Sequence, residues 1–473
     1  MSKQDQKELR QQIACEWLQE NYLNYGSLRH DIVTDRLQIK AYKPTPCPSL
    51  KGREEGDGLL AIGNRQEIWR NLTDKDINTM VCQCVAEKGV NISTNEMWTA
   101  LKSDMVPAVH PLRAWLDGLR PYTADQPDWI DWVASQVRVA DNAGSGVQEF
   151  RSLGVTSEQA RSATEPSEPL TSGSSADRLW RACFKKWFVA MVASWMKDEV
   201  VNHTVLVLVG RQGIFKTTWL DHLIPPELRA YSSKLPLSGQ ISKDDRLRLC
   251  ENGMLNIDEL DAMCGREMNI VKSLLTSTDV NERAAYGRLK ERRVRLASFC
   301  ASTNKREFLT DITGNRRWLP FEVESIQKPF HTIIPYERLY AQAKALVEEG
   351  IFSYWFDMEE MEVLEAHNEE FRALENEEQL LPILFDIPAE GKGEFMTTAE
   401  ISDKLVTYGG IKKPMNSRKL GMLLSKRGYT KRTMYISGTM VRGWIVYQRE
   451  ADEIKLVKKR ENVLTSLQPD NLF

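Results

Sequence analysis

The sequence lacks several features that would place it in a particular class of protein. It has no apolar run of about 18 residues, so we expect no membrane-spanning helix. Its first residues contain no secretory h-region, which favours a soluble, cytoplasmic protein. The net charge of −3 and the isoelectric point near 6.2 exclude a globally basic nucleic-acid coat. Any contact with DNA must therefore be made by local basic patches.

Cysteine is scarce and scattered. Among 8 cysteines, only Cys82 and Cys84 lie close together, and no second pair matches them. The spacing therefore predicts reduced, buried thiols rather than a zinc site.

The most informative feature that is present is an apolar strand followed by a glycine-containing loop. Residues 205–209 predict a strand buried on both faces, and the loop after it ends in Lys216 and Thr217 at the start of a helix. This is the pattern of a triphosphate-binding loop, in which the lysine reaches phosphates and the hydroxyl reaches Mg²⁺. The candidate nucleotide-binding residues are Gly210, Arg211, Gln212, Gly213, Ile214, Phe215, Lys216, Thr217 and Thr218.

One position departs from the general pattern, because Phe215 stands where a second glycine is usual. A side chain there costs roughly 1–3 kcal/mol if the loop needs a glycine-only dihedral. A plain glycine turn between a core strand and a helix is the alternative interpretation.

Two further segments supply polar residues that suit a nucleotide site. Asp258 and Glu259 end an apolar run, where Asp258 would hold Mg²⁺ and Glu259 would polarise the attacking water. A third strand, predicted at residues 294–301, leads to Asn304, which would sense the γ-phosphate or hold the water.

Two adjacent arginines follow a turn beyond the third strand. Arg316 or Arg317 would neutralise the charge that develops on phosphate in the transition state, often from a neighbouring subunit. Ordinary surface cations beside a turn are the alternative.

In these motifs the chain resembles the virulence-associated protein E family of phage and mobile-element ATPases, which are related to superfamily 3 helicases. The resemblance is strong over residues 177–325 and weaker over residues 20–135. It rests on four motifs in this order: Gly-Arg-Gln-Gly-Ile-Phe-Lys-Thr-Thr, Asn-Ile-Asp-Glu-Leu-Asp, Ser-Thr-Asn-Lys-Arg-Glu-Phe-Leu-Thr-Asp and Thr-Gly-Asn-Arg-Arg-Trp.

The resemblance implies a hexameric, ATP-driven, Mg²⁺-dependent motor that acts on single- and double-stranded DNA during element replication. The implied fold is α/β, with a P-loop (AAA+/superfamily 3-like) three-layer core. Related motors are often fused to primases, but residues 1–176 contain neither a zinc-ribbon spacing nor an Asp-x-Asp strand. Any primase would therefore be a separate chain.

A basic segment lies between the carboxylate strand and the third strand. In superfamily 3 helicases this stretch holds a hairpin that grips DNA in a central channel, and cations with an aromatic suit that task. A solvated charged hairpin is the alternative. The candidate residues are Arg283, Tyr286, Arg288, Lys290, Arg292 and Arg293.

The C-terminal part reads as two helices and a β-hairpin, the winged-helix pattern, with a capped start at Thr397 and a turn near Gly438. Residues 412–432 contain eight basic and no acidic residues, which indicates nucleic-acid binding, with protein docking as the alternative. The preceding acidic stretch, 356–381, is expected to be a solvated helical face. The candidate DNA-binding residues are Lys412, Lys413, Arg418, Lys419, Lys426 and Arg427.

These patterns divide the chain into six segments. Aromatic residues at helical spacing from Trp180 to Met191 predict the packing face of a helix that leads into the motor. The predicted segments are 1–140, a mostly helical N-terminal region that would form a collar or bind DNA or a partner; 141–176, a flexible linker or insertion; 177–330, the ATPase core; 331–390, a helical connector; 391–450, the winged-helix-like domain; and 451–473, a tail.

Two functions fit the sequence. The first is an ATP-dependent DNA helicase or translocase of a phage or mobile element. The second is an ATP-gated DNA-binding initiator or regulator that does not unwind DNA, which Phe215 favours because hydrolysis needs tighter positioning than binding.

Overall fold

We describe a computed structural model of the chain. The contacts within it divide the chain into two compact units, Met1–Lys305 with Trp318–Met361, and Arg306–Arg317 with Glu362–Phe473. The structure describes residues 2–43, 66–141, 174–235, 242–258, 260, 265–282, 291–310, 315–389, 393–412, 414–436 and 438–457.

The N-terminal part of the first unit contains helices, which the sequence predicted there, and also a four-stranded sheet, which it did not predict. Strand β2 alternates polar and apolar residues, and Leu37 and Ile39 pack against the buried core around Trp17. The sequence analysis did not recognise this alternation of polar and apolar residues, which is typical of a strand. The elements are α1 (Lys3–Leu18), β1 (Leu28–Asp31), β2 (Arg36–Lys43), β3 (Gln66–Asn71), α2 (Asp74–Lys88), α3 (Thr94–Leu101), β4 (Ala108–Val109), α4 (Pro111–Asp117) and α5 (Trp129–Ala134), with sheet order β3-β2-β1-β4.

The rest of the first unit is built on a six-stranded sheet in the order β5-β12-β6-β11-β8-β7. Strands β12, β6, β11, β8 and β7 run parallel, and β5 runs antiparallel to β12. Its strands are β5 (Val137–Val139), β6 (Val205–Val209), β7 (Ser232–Lys234), β8 (Met254–Ile257), β11 (Ser298–Thr303) and β12 (Trp318–Ile326); β9 (Asp279–Glu282) and β10 (Glu291–Val294) form a separate antiparallel pair.

The β6 prediction is confirmed residue for residue, but the predicted strand over residues 294–301 is wrong in its bounds. Val294 ends β10, and β11 begins only at Ser298. Between them, the buried Arg295 donates hydrogen bonds to the carbonyl oxygens of Leu274 and Leu275, at 2.9 and 2.7 Å. The apolar run is therefore divided between two sheets.

The same part of the first unit contains helices, of which the first two listed below contact the six-stranded sheet. The predicted packing face is confirmed, because Trp180, Phe184, Trp187, Phe188 and Met191 are all fully buried. Although α6 has 22 residues, no described helix is both long and apolar enough to cross a bilayer. These helices are α6 (Ser175–Met196), α7 (Lys216–His222), α8 (Lys243–Glu251), α9 (Gly265–Thr276) and α10 (Tyr336–Glu349).

The second unit contains the two helices and the hairpin that the sequence predicted. Thr397 and Glu400 form a capping box at the start of α13, and the hairpin turns at Gly438, whose φ is +85°. The last elements of the chain are α11 (Met358–Asn368), α12 (Asn376–Leu384), β13 (Phe385–Asp386), β14 (Glu394–Met396), α13 (Thr398–Gly409), α14 (Ser417–Lys426), β15 (Thr430–Ile436) and β16 (Thr439–Gln448). Strand β16 pairs with β13, β14 and β15.

Two other predictions, which concern the exposure of an acidic stretch and the burial of the cysteines, differ from the structure. The acidic stretch is not a wholly solvated face, because Glu378 is buried against Arg372 and Glu377 accepts the Met415 N–H at 2.5 Å. Cationic and backbone donors from elsewhere in the chain make that burial tolerable. Among the described cysteines, Cys82 is exposed rather than buried.

Candidate nucleotide and nucleic-acid sites

The loop between β6 and α7 has backbone conformations that restrict its sequence. Gly210 has φ +151°, and a Cβ there would lie 2.8 Å from the Val323 carbonyl oxygen of β12. Gly213 has φ +87°. Phe215 is left-handed, with φ 68° and ψ 21°, which costs about 1–2 kcal/mol for a residue with a Cβ. Phe215, which stands where the usual sequence pattern has a glycine, therefore occupies a backbone conformation that favours glycine.

Lys216 lies at the centre of this loop and is only 6% exposed. Its ammonium donates hydrogen bonds to the carbonyl oxygens of Gly210 and Arg211, each at 2.7 Å, and to Asn304 Oδ1 at 3.0 Å. Asn304 directly follows β11, so the parallel arrangement of β6 and β11 brings it to the lysine. The structure thus places together two residues that lie 88 positions apart in the sequence.

Three hydroxyl and carboxylate groups meet beside the lysine. Thr217 Oγ1 donates to Asp258 Oδ1 at 3.0 Å, Ser302 Oγ donates to the same atom at 3.2 Å, and the two hydroxyl oxygens are 2.9 Å apart. Hard oxygen ligands of this kind suit Mg²⁺. Ser302 lies on β11 and directly follows the predicted third strand, which was expected to bring it to this edge of the sheet, but it was not among the candidate site residues.

Asp258 is held in its charged form. Burial acts to raise the pKa of this carboxyl, but hydrogen bonds from Lys234 and Thr217 outweigh it and hold the pKa below its usual value. Lys234 Nζ lies 2.6 Å from Asp258 Oδ2. Sequence reasoning missed Lys234, because only the pairing of β7 with β8 brings it to Asp258.

These groups line a cavity of about 280 Å³. Phe215 lies at its edge, with its ring 6.3 Å from that of the exposed Phe330 in an edge-to-face arrangement. The lining residues are Gln212, Gly213, Phe215, Lys216, Thr217, Thr218, Asp258, Ser302, Thr303 and Asn304. Six of the nine predicted nucleotide-binding residues, with Lys216 among them, thus share one cavity with Asp258 and Asn304.

The other predicted catalytic residues have different placements. Glu259 lies outside the described residues. Arg316, which is exposed, and Arg317, which is half-buried, form a 3₁₀ turn with Asn315 and belong to the second unit. Their role as arginine fingers stays a prediction.

The predicted channel hairpin is described only at its base, where β9 pairs with β10. Arg292 forms an ion pair with Asp279, and Arg293 forms one with Glu251 at 3.4 Å. Both are therefore engaged within the protein. The residues outside the described part of the chain are Arg283, Tyr286, Arg288 and Lys290.

The basic residues of the second unit are partly neutralised by acids that come much earlier in the chain. Lys419 pairs with Glu375, Lys426 pairs with Glu369 at 2.5 Å, and Arg427 lies 3.8 Å from Glu378. The stretch has no acidic residue of its own, so sequence alone gave no signal for these pairs. Lys412 is exposed, and Lys413 lies outside the described residues.

A groove of about 970 Å³ is lined by α14, the β15–β16 hairpin and further residues of the second unit, which include Glu365 and Glu369. Arg418 and Lys426 line its helix side, and Lys431 and Arg442 line its hairpin side. Lys431 lies over the Trp444 ring, with Nζ 5.8 Å from the ring centroid. Sequence reasoning had not named Arg442 as a candidate, although it belongs to the same surface as Arg418.

Comparison with known protein families gives a match to one part of the chain. Residues 163–373 match the family model described as the virulence-associated protein E-like domain. The chain carries a virulence-associated protein E-like domain. This confirms the family that the four sequence motifs indicated. No curated protein sequence matches the chain.

The solved structures that match the chain include two of the same region of one protein. They are described as the apo structure of NrS-1 C terminal region (305-718) and the A form apo structure of the same region. They cover 90% and 91% of this chain and 97% and 99% of their own, each at 10% identity, with TM-scores of 0.40 and 0.39.

The matched residues of the virulence-associated protein E-like domain contain the whole cavity beside Lys216, and also Arg316 and Arg317. They end at residue 373, before α14 and the hairpin. The basic groove thus lies mostly outside the matched residues, and its function has to be argued from its own side chains.

Proposed function

We propose that the protein is an ATP-hydrolysing motor, a DNA helicase or translocase of a phage or mobile element. The observation that carries this proposal is the meeting of Lys216, Thr217, Asp258 and Asn304 at one end of three parallel strands. A buried lysine beside a carboxylate and hydroxyls provides both a phosphate contact and oxygen ligands for a metal.

Each residue has a distinct task in this proposal. Lys216 exchanges its loop carbonyl contacts for the β- and γ-phosphates of ATP, and Thr217 and Asp258 hold Mg²⁺, which neutralises charge on the phosphates. Asn304 orients the attacking water or senses the γ-phosphate. The family resemblance adds Glu259 as the group that polarises this water, and Arg316 or Arg317 as a finger supplied within a hexameric ring.

The test is ATP hydrolysis by the purified protein with and without single-stranded DNA. We expect turnover that rises with DNA and is lost in Lys216→Ala and Glu259→Gln. Lys88→Ala, which removes an ion pair with Glu20 in the N-terminal part, serves as the matched control and retains turnover. Turnover that survives Lys216→Ala would contradict the assignment of this cavity.

One observation favours a second function, an ATP-gated DNA-binding initiator or regulator without unwinding activity. Phe215 holds the left-handed conformation at the loop position next to Lys216. Strain there weakens the tight positioning that hydrolysis requires more than it weakens binding. ATP-coupled strand separation by the wild-type protein would exclude this alternative, whereas tight ATP binding without turnover would favour it.

We further propose that the groove lined by α14 and the hairpin contacts DNA, in the manner of a winged helix. Arg418, Lys431 and Arg442 are the cations of this groove for which the described residues show no ion pair. Lys419, Lys426 and Arg427 contribute less, because carboxylates already neutralise them. A primase, if one is needed, is a separate partner chain.

A further inference from the structure

Both oxygens of the Asp258 carboxylate are engaged by neighbouring side chains. Thr217 and Ser302 contact Oδ1, and the Lys234 ammonium contacts Oδ2 at 2.6 Å. Lys234 is therefore the nearest cation to the carboxylate that the proposed function assigns to Mg²⁺.

The backbone at Lys234 is fixed from two directions, so the contact does not depend on a loose strand end. Arg248 donates a hydrogen bond to the Lys234 carbonyl oxygen at 2.9 Å, and the Leu235 N–H donates to the Asn256 carbonyl oxygen at 3.0 Å. The lysine side chain itself is 57% exposed, so its ammonium lies within reach of solvent and of ligands that approach Asp258.

Two cations that share one carboxylate repel each other, so a divalent metal on Asp258 disfavours the Lys234 contact. An ammonium displaced from Asp258 needs another anion nearby. The phosphates of a nucleotide bound at Lys216 supply that anion, because Lys216 and Asp258 line the same cavity.

We propose that Lys234 competes with divalent metal for Asp258 and becomes a phosphate ligand when nucleotide binds. This inference rests on the proposed nucleotide site. Lys234 thus couples the two ligands, because metal binds weakly alone and more tightly together with nucleotide. An ordinary surface ion pair would have neither effect on ligand binding.

The test measures two affinities in the full-length protein and in Lys234→Met. The first is that of Mn²⁺ alone, from free Mn²⁺ measured by electron paramagnetic resonance. The second is that of a non-hydrolysable ATP analogue with Mg²⁺, by calorimetry. Lys185→Met is the matched control, because it removes a lysine–aspartate pair with Asp128, at 2.9 Å, in the same unit.

The two affinities should change in opposite directions in Lys234→Met. Mn²⁺ alone should bind about threefold or more tightly, since a competing exposed ion pair is lost. The ATP analogue with Mg²⁺ should bind about tenfold more weakly, since a charged phosphate contact is lost.

Each other outcome overturns the inference in a distinguishable way. Unchanged affinities, a change in only one of them, or two changes of the same sign reject Lys234 as the coupling residue, while wild-type nucleotide binding leaves the proposed function standing. Absence of nucleotide binding in a wild-type protein that is shown to be folded rejects the proposed function and this inference with it.

Discussion

The left-handed conformation of Phe215 gives a prediction whose size follows from the backbone. With φ 68° and ψ 21°, any residue with a Cβ is disfavoured there by about 1–2 kcal/mol. Glycine avoids that cost but loses about 0.5–1 kcal/mol more conformational entropy on folding. Phe215→Gly should therefore be more stable than Phe215→Ala by up to about 1.5 kcal/mol, and by roughly 0.75 kcal/mol at the middle of both ranges.

Comparing these two variants isolates the backbone, because both remove the ring contact with Phe330. That contact contributes about 0.5–1.5 kcal/mol and cancels in the difference. The measurement is urea unfolding followed by tryptophan fluorescence, to which the buried Trp180 and Trp219 contribute, with stability differences taken from the midpoints. An alanine variant more stable than the glycine variant would refute the left-handed assignment.

The same pair of variants also bears on catalysis. If strain at Phe215 limits turnover, Phe215→Gly should hydrolyse ATP faster than the wild type at similar nucleotide affinity. Equal rates would mean that the loop already positions Lys216 for turnover, and they would remove the support that Phe215 gives to the non-hydrolysing alternative.

Three further predictions concern other parts of the molecule. Arg372→Met leaves the buried Glu378 without its bidentate partner and should destabilise the second unit by about 3–5 kcal/mol in thermal unfolding. Arg442→Ala should reduce the slope of the logarithm of DNA affinity against the logarithm of salt concentration by about 1, which corresponds to one phosphate contact. Arg432→Ala, on the opposite face of the hairpin, should leave this slope unchanged. Burial, with the charge of Arg113, lowers the pKa of His110 from 6.5 to about 4 in the folded protein. As the pH falls below 6.5, the unfolded chain takes up a proton on His110 before the folded protein does, so the free energy of unfolding decreases. Between pH 7 and pH 5 this loss should be about 2 kcal/mol in urea unfolding, and His110→Asn should abolish it.

Each of these predictions has an outcome that would count against it. A Glu378→Gln change that fails to restore stability to Arg372→Met would argue against a desolvated carboxylate as the cause. Equal salt slopes for Arg442→Ala and Arg432→Ala would place DNA outside the groove. An unchanged pH dependence in His110→Asn would assign the acid sensitivity to other groups.

The features that the sequence predicted correctly depend on residues close together in the chain. The apolar run 205–209, the capping box at Thr397 and the turn at Gly438 each express a local preference, and each appears as expected. The helix face from Trp180 to Met191 also follows from spacing alone.

The features that the sequence did not predict depend on pairing between distant segments. Lys234 reaches Asp258 only because β7 lies beside β8, and Glu369 reaches Lys426 across 57 positions. A charge count over a short window cannot detect such neutralisation. The N-terminal sheet was missed for a related reason, since β3 and β4 gain their partners from β2 and β1.

The position of Gly210 shows why strand order matters for testing the site. The sequence pattern assigns this glycine to phosphate binding, yet β12 lies beside β6 and brings the Val323 carbonyl within 2.8 Å of any Cβ at Gly210. A substitution at Gly210 would therefore strain the sheet whether or not nucleotide binds. Lys216 also has structural contacts, because its ammonium donates to the carbonyl oxygens of Gly210 and Arg211 and to Asn304. These contacts lie at the end of its side chain, so loss of nucleotide binding in Lys216→Ala can be assigned to the phosphate contact when the urea midpoint stays that of the wild type, whereas the same loss in Gly210→Ala cannot.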